Sequence, residues 1–180
     1  MVAIVGFMIL ACEIAFWIFV LSGLSARYLL QKKKLGSVLL YCTPFVDLAL
    51  LIFVVFDLKN GASANTFHGL AAVYLGVSIA FGKKMIHWAD QHFAYRFANG
   101  EKPQKKKVYG KEYAKLERQG WYRHFLAWLI GACFLLLIVL YIQNLEQTFE
   151  LIRILFIWSI VLIIDFFISF SYTIFPKKEA

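Results

Sequence analysis

The sequence predicts an all-α membrane protein, a single polytopic bundle of about five transmembrane helices that includes all 180 residues. Hydrophobic residues make up 61% of the chain and the mean hydropathy is +0.68. That is more apolar surface than one soluble core of this size can bury. The apolar residues also fall into long blocks separated by short charged stretches, which is the pattern of membrane spans.

The first two blocks predict spans over residues 2–26 and 38–56. The first block is longer than the apolar region of about 7–15 residues in a signal peptide, and no Lys or Arg precedes it. We therefore interpret it as a retained helix. Pro44 lies inside the second block. Because proline lacks a backbone N–H, we expect the carbonyl of Leu40 to lose its helical partner and the helix to kink.

The third span is predicted over residues 67–82, after a polar loop over residues 57–66. In that loop Asn60-Gly61 is a turn signal, and Asn65 or Thr66 is expected to cap the next helix. Small residues recur on one face of the span, which predicts a central, closely packed helix: Gly69, Ala72, Gly76 and Ala80.

A hydrophilic loop is predicted over residues 83–120. Residues 85–98 carry an apolar stripe, which indicates either an amphipathic helix in the membrane interface or an extension of the third span. Asn99-Gly100 is expected to end that helix, and residues 101–107 form a basic linker. Residues 111–118 are expected to form a second short helix.

The last two spans are predicted over residues 121–142 and 151–175, joined by a loop over residues 143–150. Trp121, Tyr122 and Trp128 are typical of an interfacial aromatic belt. Pro176 is expected to end the fifth span.

The distribution of charge predicts the orientation of the bundle. Seventeen of the 19 Lys and Arg residues fall on one side of the membrane, and only Lys59 and Arg153 fall on the other. The positive-inside rule places the basic side in the cytoplasm. We therefore expect a multi-pass protein of the cell membrane, with its N-terminus outside and its C-terminus in the cytoplasm.

Three acidic residues lie near the middle of predicted spans: Glu13, Asp47 and Asp165. At about 1.5 Å per helical residue their depths agree to within about 5 Å, so we expect them to meet in the bundle interior. No Lys or Arg lies at that depth. Carboxylates without a cation cannot all remain ionised there, so at least one is expected to be a neutral, hydrogen-bonded acid unless a cation binds.

Two interpretations of these acids remain open. The first is that they are neutral and hydrogen-bond neighbouring helices. The alternative is a site that binds or relays a proton or a cation. Thr43 lies one turn from Asp47, and Ser169 and Trp158 share the face of Asp165, so all three are expected neighbours of the acids.

Two further polar pairs are candidate sites near the ends of the spans. Asp57 and His68 belong to the outer loop region, where they suggest a metal site, although two ligands match no standard site and turn and cap roles are the simpler interpretation. His87 and Asp90 lie one turn apart near the inner surface and are expected to hydrogen-bond, with a general-base role as the alternative to a polar stripe. We expect no bound metal and no cofactor.

A dense basic patch follows the third span. Each of its lysines is expected to contribute about 1 kcal/mol of attraction to anionic lipid headgroups at the cytoplasmic face, and an acidic protein partner is the alternative. The patch consists of Lys102, Lys105, Lys106, Lys107 and Lys111. Nucleic acid is not an expected partner despite the net charge of +8, because the basic residues sit between apolar blocks. Phosphate-loop, dinucleotide-binding and zinc-protease motifs are absent from the sequence, as are GxSxG and CxxC.

Two stretches of the chain resemble a known family. They are Asp57-Leu-Lys-Asn-Gly-Ala with His68-Gly-Leu-Ala-Ala, and Trp88-Ala-Asp with Phe93-Ala-Tyr-Arg-Phe-Ala-Asn-Gly100. They resemble the YmcC-like proteins, a family of small bacterial integral membrane proteins, and the resemblance extends over most of the chain. It implies a location in the bacterial cytoplasmic membrane and no particular activity. It also implies that residues 57–69 and 87–100 are the segments in which to look for a functional site. A proline-rich linker is expected over residues 102–107, but this chain has lysines there.

The sequence favours a structural, assembly or interaction role in the bacterial cytoplasmic membrane, because it lacks a catalytic constellation and carries a strong packing stripe. A small proton- or cation-coupled transporter or channel that uses the buried carboxylates is the alternative. A membrane enzyme acting on lipid, with His87 and Asp90, is a third. The expected partners are the bilayer and either a second copy of the chain or another membrane protein.

Overall fold

Six helices make up the described part of the protein. The computed structural model describes residues 2–97 and 108–177, and for a few of these, Glu13 among them, it describes the backbone alone. The helices are α1 (Val2–Tyr28), α2 (Lys33–Tyr41), α3 (Thr43–Lys59), α4 (Thr66–Phe97), α5 (Gly110–Ile142) and α6 (Leu145–Ile174). They supply five segments long and apolar enough to cross a membrane, which confirms the predicted all-α bundle of five spans.

Helices α2 and α3 together form the second span, and they are separated next to Pro44, where the sequence predicts a kink. Helix α2 ends at Tyr41 and α3 begins at Thr43. The hydroxyl of Thr43 donates to the carbonyl of Leu40 at 3.0 Å, in place of the backbone bond that Pro44 cannot make. The hydroxyl proton of Thr43 is therefore used at the break, and a residue of α4 hydrogen-bonds Asp47 instead.

The alternating direction of the spans gives the bundle two different ends. Helices α1, α4 and α6 finish at one end and α2 and α5 start there. We call this the basic end, because most of the described cationic side chains lie there, among them Arg27, Lys84, Lys111 and Lys177. The opposite end carries the connections over residues 60–65 and 143–144.

Helices α4 and α5 are longer than a bilayer is thick. They have 32 and 33 residues, or about 48 and 50 Å of helix, against about 30 Å of hydrocarbon. Residues 85–97 extend the third span and do not form a separate interfacial helix, so the second of the two interpretations is the correct one. The prediction of a separate short helix over residues 111–118 is wrong, because these residues belong to α5. The predicted helix end at Asn99-Gly100 and the linker over residues 101–107 lie outside the described residues.

The centre of the bundle is α4, as its small-residue face predicts. It packs against α1, α3, α5 and α6. Ala72 is fully buried, and a methyl group added to Gly76 would collide with the carbonyl oxygen of Ala127 on α5. Gly131 of α5 lies close to the carbonyl oxygen of Ala72 on α4 and also leaves room for the ring of Trp158 on α6. Small residues therefore allow these backbones to approach closely.

The connections at the opposite end are shorter than the sequence predicts. Helix α3 continues to Lys59, so Asp57 lies in a helix and not in the loop, and α6 begins at Leu145 instead of residue 151. Gln147 of α6 fixes this end: its side-chain amide donates to the carbonyl of Ala62 at 2.6 Å, and its backbone carbonyl accepts from the N–H of Ala64 at 2.8 Å.

Two tryptophans join α5 to α6. The indole N–H of Trp121 donates to the carbonyl of Leu162 at 3.2 Å, and that of Trp128 donates to Ser159 Oγ at 3.0 Å. Tyr122 is exposed. The sequence predicts an aromatic belt for these residues, but it does not predict the hydrogen bonds by which the two tryptophans join α5 to α6.

Candidate functional site

Asp47 of α3 lies inside the bundle and faces α4. Asp47 is 6% exposed, and its carboxylate accepts a hydrogen bond from the hydroxyl of Ser78. Both residues line a cavity of about 350 Å³ between α1, α3 and α4. The remaining walls are mainly apolar and aromatic, and they include Cys12, Phe16, Trp17, Tyr74 and Met85.

The surroundings of Asp47 leave its acceptor capacity largely unused. A carboxylate offers about four lone-pair sites, and the hydroxyl of Ser78 fills one of them. None of the four ion pairs found among the described side chains includes Asp47. An isolated charge is costly to bury. The arrangement can therefore hold a proton on Asp47, or balance the charge of a cation in the cavity.

Asp165 of α6 is paired with a histidine of α5. His124 Nδ1 lies 2.9 Å from Asp165 Oδ2, and the indole N–H of Trp158 donates to His124 Nε2 at 3.3 Å. Because Nε2 accepts a hydrogen bond, the proton of the neutral ring is on Nδ1 and is donated to Asp165. The hydroxyl of Ser169 approaches the second carboxylate oxygen at 3.4 Å. Ser169 is thus the neighbour of Asp165 that the sequence predicts, whereas Trp158 bonds to His124 and not to Asp165.

His124 is a residue of this site that the sequence pattern did not predict. The residue falls at the border between the predicted loop and the fourth span, three residues after Trp121 and four before Trp128. This spacing puts all three on one helical face. Both tryptophans bond to α6, so a polar residue between them on that face is the signal that identifies a partner for Asp165.

The structure assigns Asp47 and Asp165 to different helix pairs. Asp47 bonds to α4 and Asp165 to α5, and the hydrogen bonds of the described side chains do not join the two acids. Glu13 lies in α1, next to Cys12 of the Asp47 cavity. Its side chain is outside the described part of the structure, so its meeting with the other acids stays a prediction.

Asp57 and His68 meet in the interior near the opposite end. His68 Nε2 lies 3.2 Å from Asp57 Oδ2, and the two side chains are 2% and 5% exposed. The backbone N–H of Asn65 donates to His68 Nδ1 at 3.0 Å, and Asn65 Oδ1 accepts from the backbone N–H of His68 at 3.2 Å. These reciprocal bonds form a capping box in which histidine replaces the usual glutamate. The predicted capping role of Asn65 is confirmed.

The contacts of His68 do not favour a metal site. The lone pair on Nδ1 accepts from Asn65, so the neutral ring carries its proton on Nε2, which faces Asp57. Within residues 2–97 and 108–177, no three His, Cys, Asp or Glu side chains are grouped to hold a metal ion. The pair instead connects the end of α3 to the start of α4.

Asp90 pairs with Arg27 and not with His87. Arg27 Nη1 of α1 lies 2.6 Å from Asp90 Oδ2 of α4 at the basic end. His87 is exposed, and its Nε2 lies 3.1 Å from the side-chain amide nitrogen of Gln91. The expected hydrogen bond between His87 and Asp90 is replaced by an ion pair, because a guanidinium attracts a carboxylate more strongly than a neutral imidazole does. Among the described side chains, therefore, His87 has no carboxylate partner that would support a general-base role.

The basic patch is described only at its last residue. Lys111 is exposed in the first turn of α5, whereas Lys102, Lys105, Lys106 and Lys107 lie outside the described residues. That first turn is held against the end of α6. The N–H of Gly110 donates to the carbonyl of Lys177 at 2.9 Å, and Lys177 Nζ lies 4.7 Å from the centre of the Tyr113 ring.

A search for similar proteins gives a relative of nearly the same length. The chain is 46% identical over 176 residues, which is 97% of this chain and 94% of the relative, to a Bacillus subtilis (strain 168) protein described as "Uncharacterized membrane protein YmcC". No protein-family model and no solved structure matches the chain. The relative's description agrees with the five apolar helices and gives no activity.

Proposed function

The chain belongs to the family of the Bacillus subtilis membrane protein YmcC, and on that premise we propose that it is a structural or assembly protein of the bacterial cytoplasmic membrane. One observation supports this role above all. Three acids are each paired with a cationic or imidazole side chain of a neighbouring helix: Asp57, Asp90 and Asp165. Groups that are held in this way stabilise a bundle and are poorly placed to carry ions across it.

Each of these pairs joins two helices of the bundle. His68 and Asp57 join α4 to α3, and Arg27 joins α1 to α4. His124 joins α5 to α6. Interhelical polar contacts in a bilayer contribute about 0.6 kcal/mol on average and about 1.7 kcal/mol at most. Together with the close packing of α4 on α5, they favour one rigid arrangement that a partner can recognise.

The basic end of this bundle is proposed to lie in the cytoplasm, with the N-terminus outside. The excess of Lys and Arg at this end supports that orientation. Helices α4 and α5 are long enough to project beyond the hydrocarbon there, and each lysine near the surface adds about 1 kcal/mol of attraction to anionic lipid. Anionic headgroups, with a second copy of the chain or another membrane protein, are the proposed partners.

The proposed orientation can be tested by labelling single cysteines. The variants Lys59→Cys and Lys111→Cys are made after Cys12, Cys42 and Cys133 are replaced by alanine. We expect a membrane-impermeant maleimide to label residue 59 and not residue 111 in intact cells, and to label both after lysis. Labelling of residue 111 in intact cells contradicts the orientation.

The assembly role can be tested in native membranes. We expect crosslinking in intact membranes to trap the tagged chain in a discrete complex larger than the monomer. Gly82→Ala should retain that complex, because a methyl group there meets nothing within 4 Å, and Gly76→Leu should lose it because the α4–α5 seam cannot close. A wild-type chain that remains monomeric after crosslinking contradicts the assembly role.

A second candidate function is proton- or cation-coupled transport. Asp47 supports it, because this acid lines a cavity of about 350 Å³ and belongs to none of the ion pairs among the described side chains. In sealed vesicles, transport predicts a proton or cation flux that Asp47→Asn abolishes and Asp165→Asn retains. Flux through the wild-type chain no greater than through empty vesicles excludes this candidate.

A further inference from the structure

The cavity beside Asp47 combines the carboxylate of that residue with aromatic walls. Phe16 and Trp17 come from α1 and Tyr74 comes from α4, and all three line the cavity together with Asp47 and Met85. Trp17 is 61% exposed and Tyr74 is 42% exposed, so the cavity is accessible from the lipid-facing side of the bundle. A molecule dissolved in the bilayer can therefore enter it between α1 and α4.

A second cavity adjoins the first and extends toward the basic end. It has a volume of about 510 Å³ and shares Phe16, Trp17, Ser78 and Met85 with the first. Its other walls are mainly apolar, with Lys84 at the basic end. Ligand pockets commonly have volumes of about 300–1,000 Å³. The two cavities therefore have room for a bulky apolar molecule.

The charges in the two cavities favour one position for a positive centre. Asp47 lines only the first cavity and Lys84 only the second. Ser78 supplies Asp47 with one donor, and no Lys, Arg or His pairs with Asp47 among the described side chains. A cation beside Asp47 balances a charge that is otherwise costly to bury. The faces of aromatic rings attract a cation as well.

We propose that the Asp47 cavity binds a lipophilic organic monocation, an ammonium or phosphonium ion with aromatic or long alkyl substituents. The positive centre lies beside Asp47, and the substituents occupy the adjoining apolar cavity. A hydrated metal ion does not suit these walls, which supply few oxygen or nitrogen ligands. An anionic amphiphile does not suit them either, because Asp47 repels it. The proposal concerns binding and does not depend on the structural role or on transport.

The binding experiment uses the purified full-length chain in detergent and tetraphenylphosphonium as the probe. We expect saturable binding, detected by isothermal titration calorimetry. Tetraphenylborate is the matched control probe, because it has nearly the same shape and the opposite charge. We expect it to show no saturable binding. Equal binding of both ions would show that the cavity selects apolar bulk and not positive charge, and it overturns the proposal.

The variants assign the binding to the cavity. Asp47→Asn keeps an acceptor for Ser78 and should weaken tetraphenylphosphonium binding about tenfold or more, because it removes the opposite charge. Trp17→Leu should weaken it about threefold to tenfold through loss of the cation–π contact. Asp165→Asn removes a membrane-embedded charge outside the cavity and should bind as the wild type does.

Two results contradict the assignment. One is wild-type affinity in Asp47→Asn when that variant elutes as a monodisperse protein with unchanged helical content. The other is an equal loss of affinity in Asp165→Asn, which indicates a general dependence on charge. If Asp47→Asn does not fold, Trp17→Leu alone decides, and unchanged affinity in that variant also overturns the proposal.

Discussion

The imidazole of His124 donates to the carboxylate of Asp165 at 2.9 Å, and this contact joins the middle of α5 to the last third of α6. Lipid hydrocarbon offers neither group a hydrogen-bond partner, so Asp165 depends on His124 and Ser169, and the Nδ1–H of His124 depends on Asp165. Trp158 completes the chain from the other side of the ring. The seam between α5 and α6 is therefore specified by polar groups as well as by packing.

We predict that the His124–Asp165 contact stabilises the folded bundle. His124→Phe should lower the free energy of unfolding by about 1–2 kcal/mol, because Asp165 then retains only the contact with Ser169. Asp165→Leu in the same chain should recover part of that loss. Reversible unfolding in mixed micelles measures the coupling, and Cys133→Ala, an exposed change on α5, is the control. Strictly additive effects of the two substitutions would count against the contact.

Two glycines of α4 should respond oppositely to the same substitution. A methyl group on Gly76 meets the backbone of α5, whereas one on Gly82 meets nothing within 4 Å. Gly76→Ala should therefore destabilise the fold by about 1–3 kcal/mol. Gly82→Ala should be neutral or stabilising by up to about 1 kcal/mol, since alanine has the higher helix propensity. Equal unfolding free energies for the two variants would show that the α4–α5 seam is looser than described.

The hydroxyl of Thr43 should matter only while proline occupies position 44. Thr43→Val should destabilise the chain by about 1 kcal/mol, because the carbonyl of Leu40 loses its donor. In a Pro44→Ala background the backbone N–H of residue 44 can bond that carbonyl, so the same change should have a smaller effect. A double-mutant cycle of unfolding free energies tests this, and an effect of Thr43→Val that is independent of residue 44 contradicts it.

The buried pair of Asp57 and His68 near the opposite end should be costly to break when only one of the two residues is replaced. His68→Leu leaves Asp57 buried without its partner and should lower the free energy of unfolding by about 1–3 kcal/mol. The double variant Asp57→Leu with His68→Leu should be less damaged than the single one. His87→Ala serves as the control, because His87 is exposed on the same helix. Denaturant titration measures all three, and a double variant that is worse than His68→Leu argues against the pairing.

The candidate sites were predicted less completely than the fold. The interruption of the second span next to Pro44, the cap at Asn65 and the packing face of α4 follow from properties of single residues or from spacing on one helix. The partners of Asp47 and Asp165 do not, because each bond crosses from one helix to another. Periodicity identifies the face on which a side chain lies but not the neighbouring helix that covers it.

The sequence by itself determined that this chain is an α-helical membrane protein with five spans, because each apolar block must satisfy its own backbone hydrogen bonds in lipid. Only the tertiary structure decided which polar groups meet. Ser78 reaches Asp47, Arg27 reaches Asp90 and His124 reaches Asp165 through contacts between residues 31 to 63 positions apart in the chain. Such contacts depend on how the helices are arranged around α4, and that arrangement minimises the energy of the whole bundle and is not encoded in any single segment.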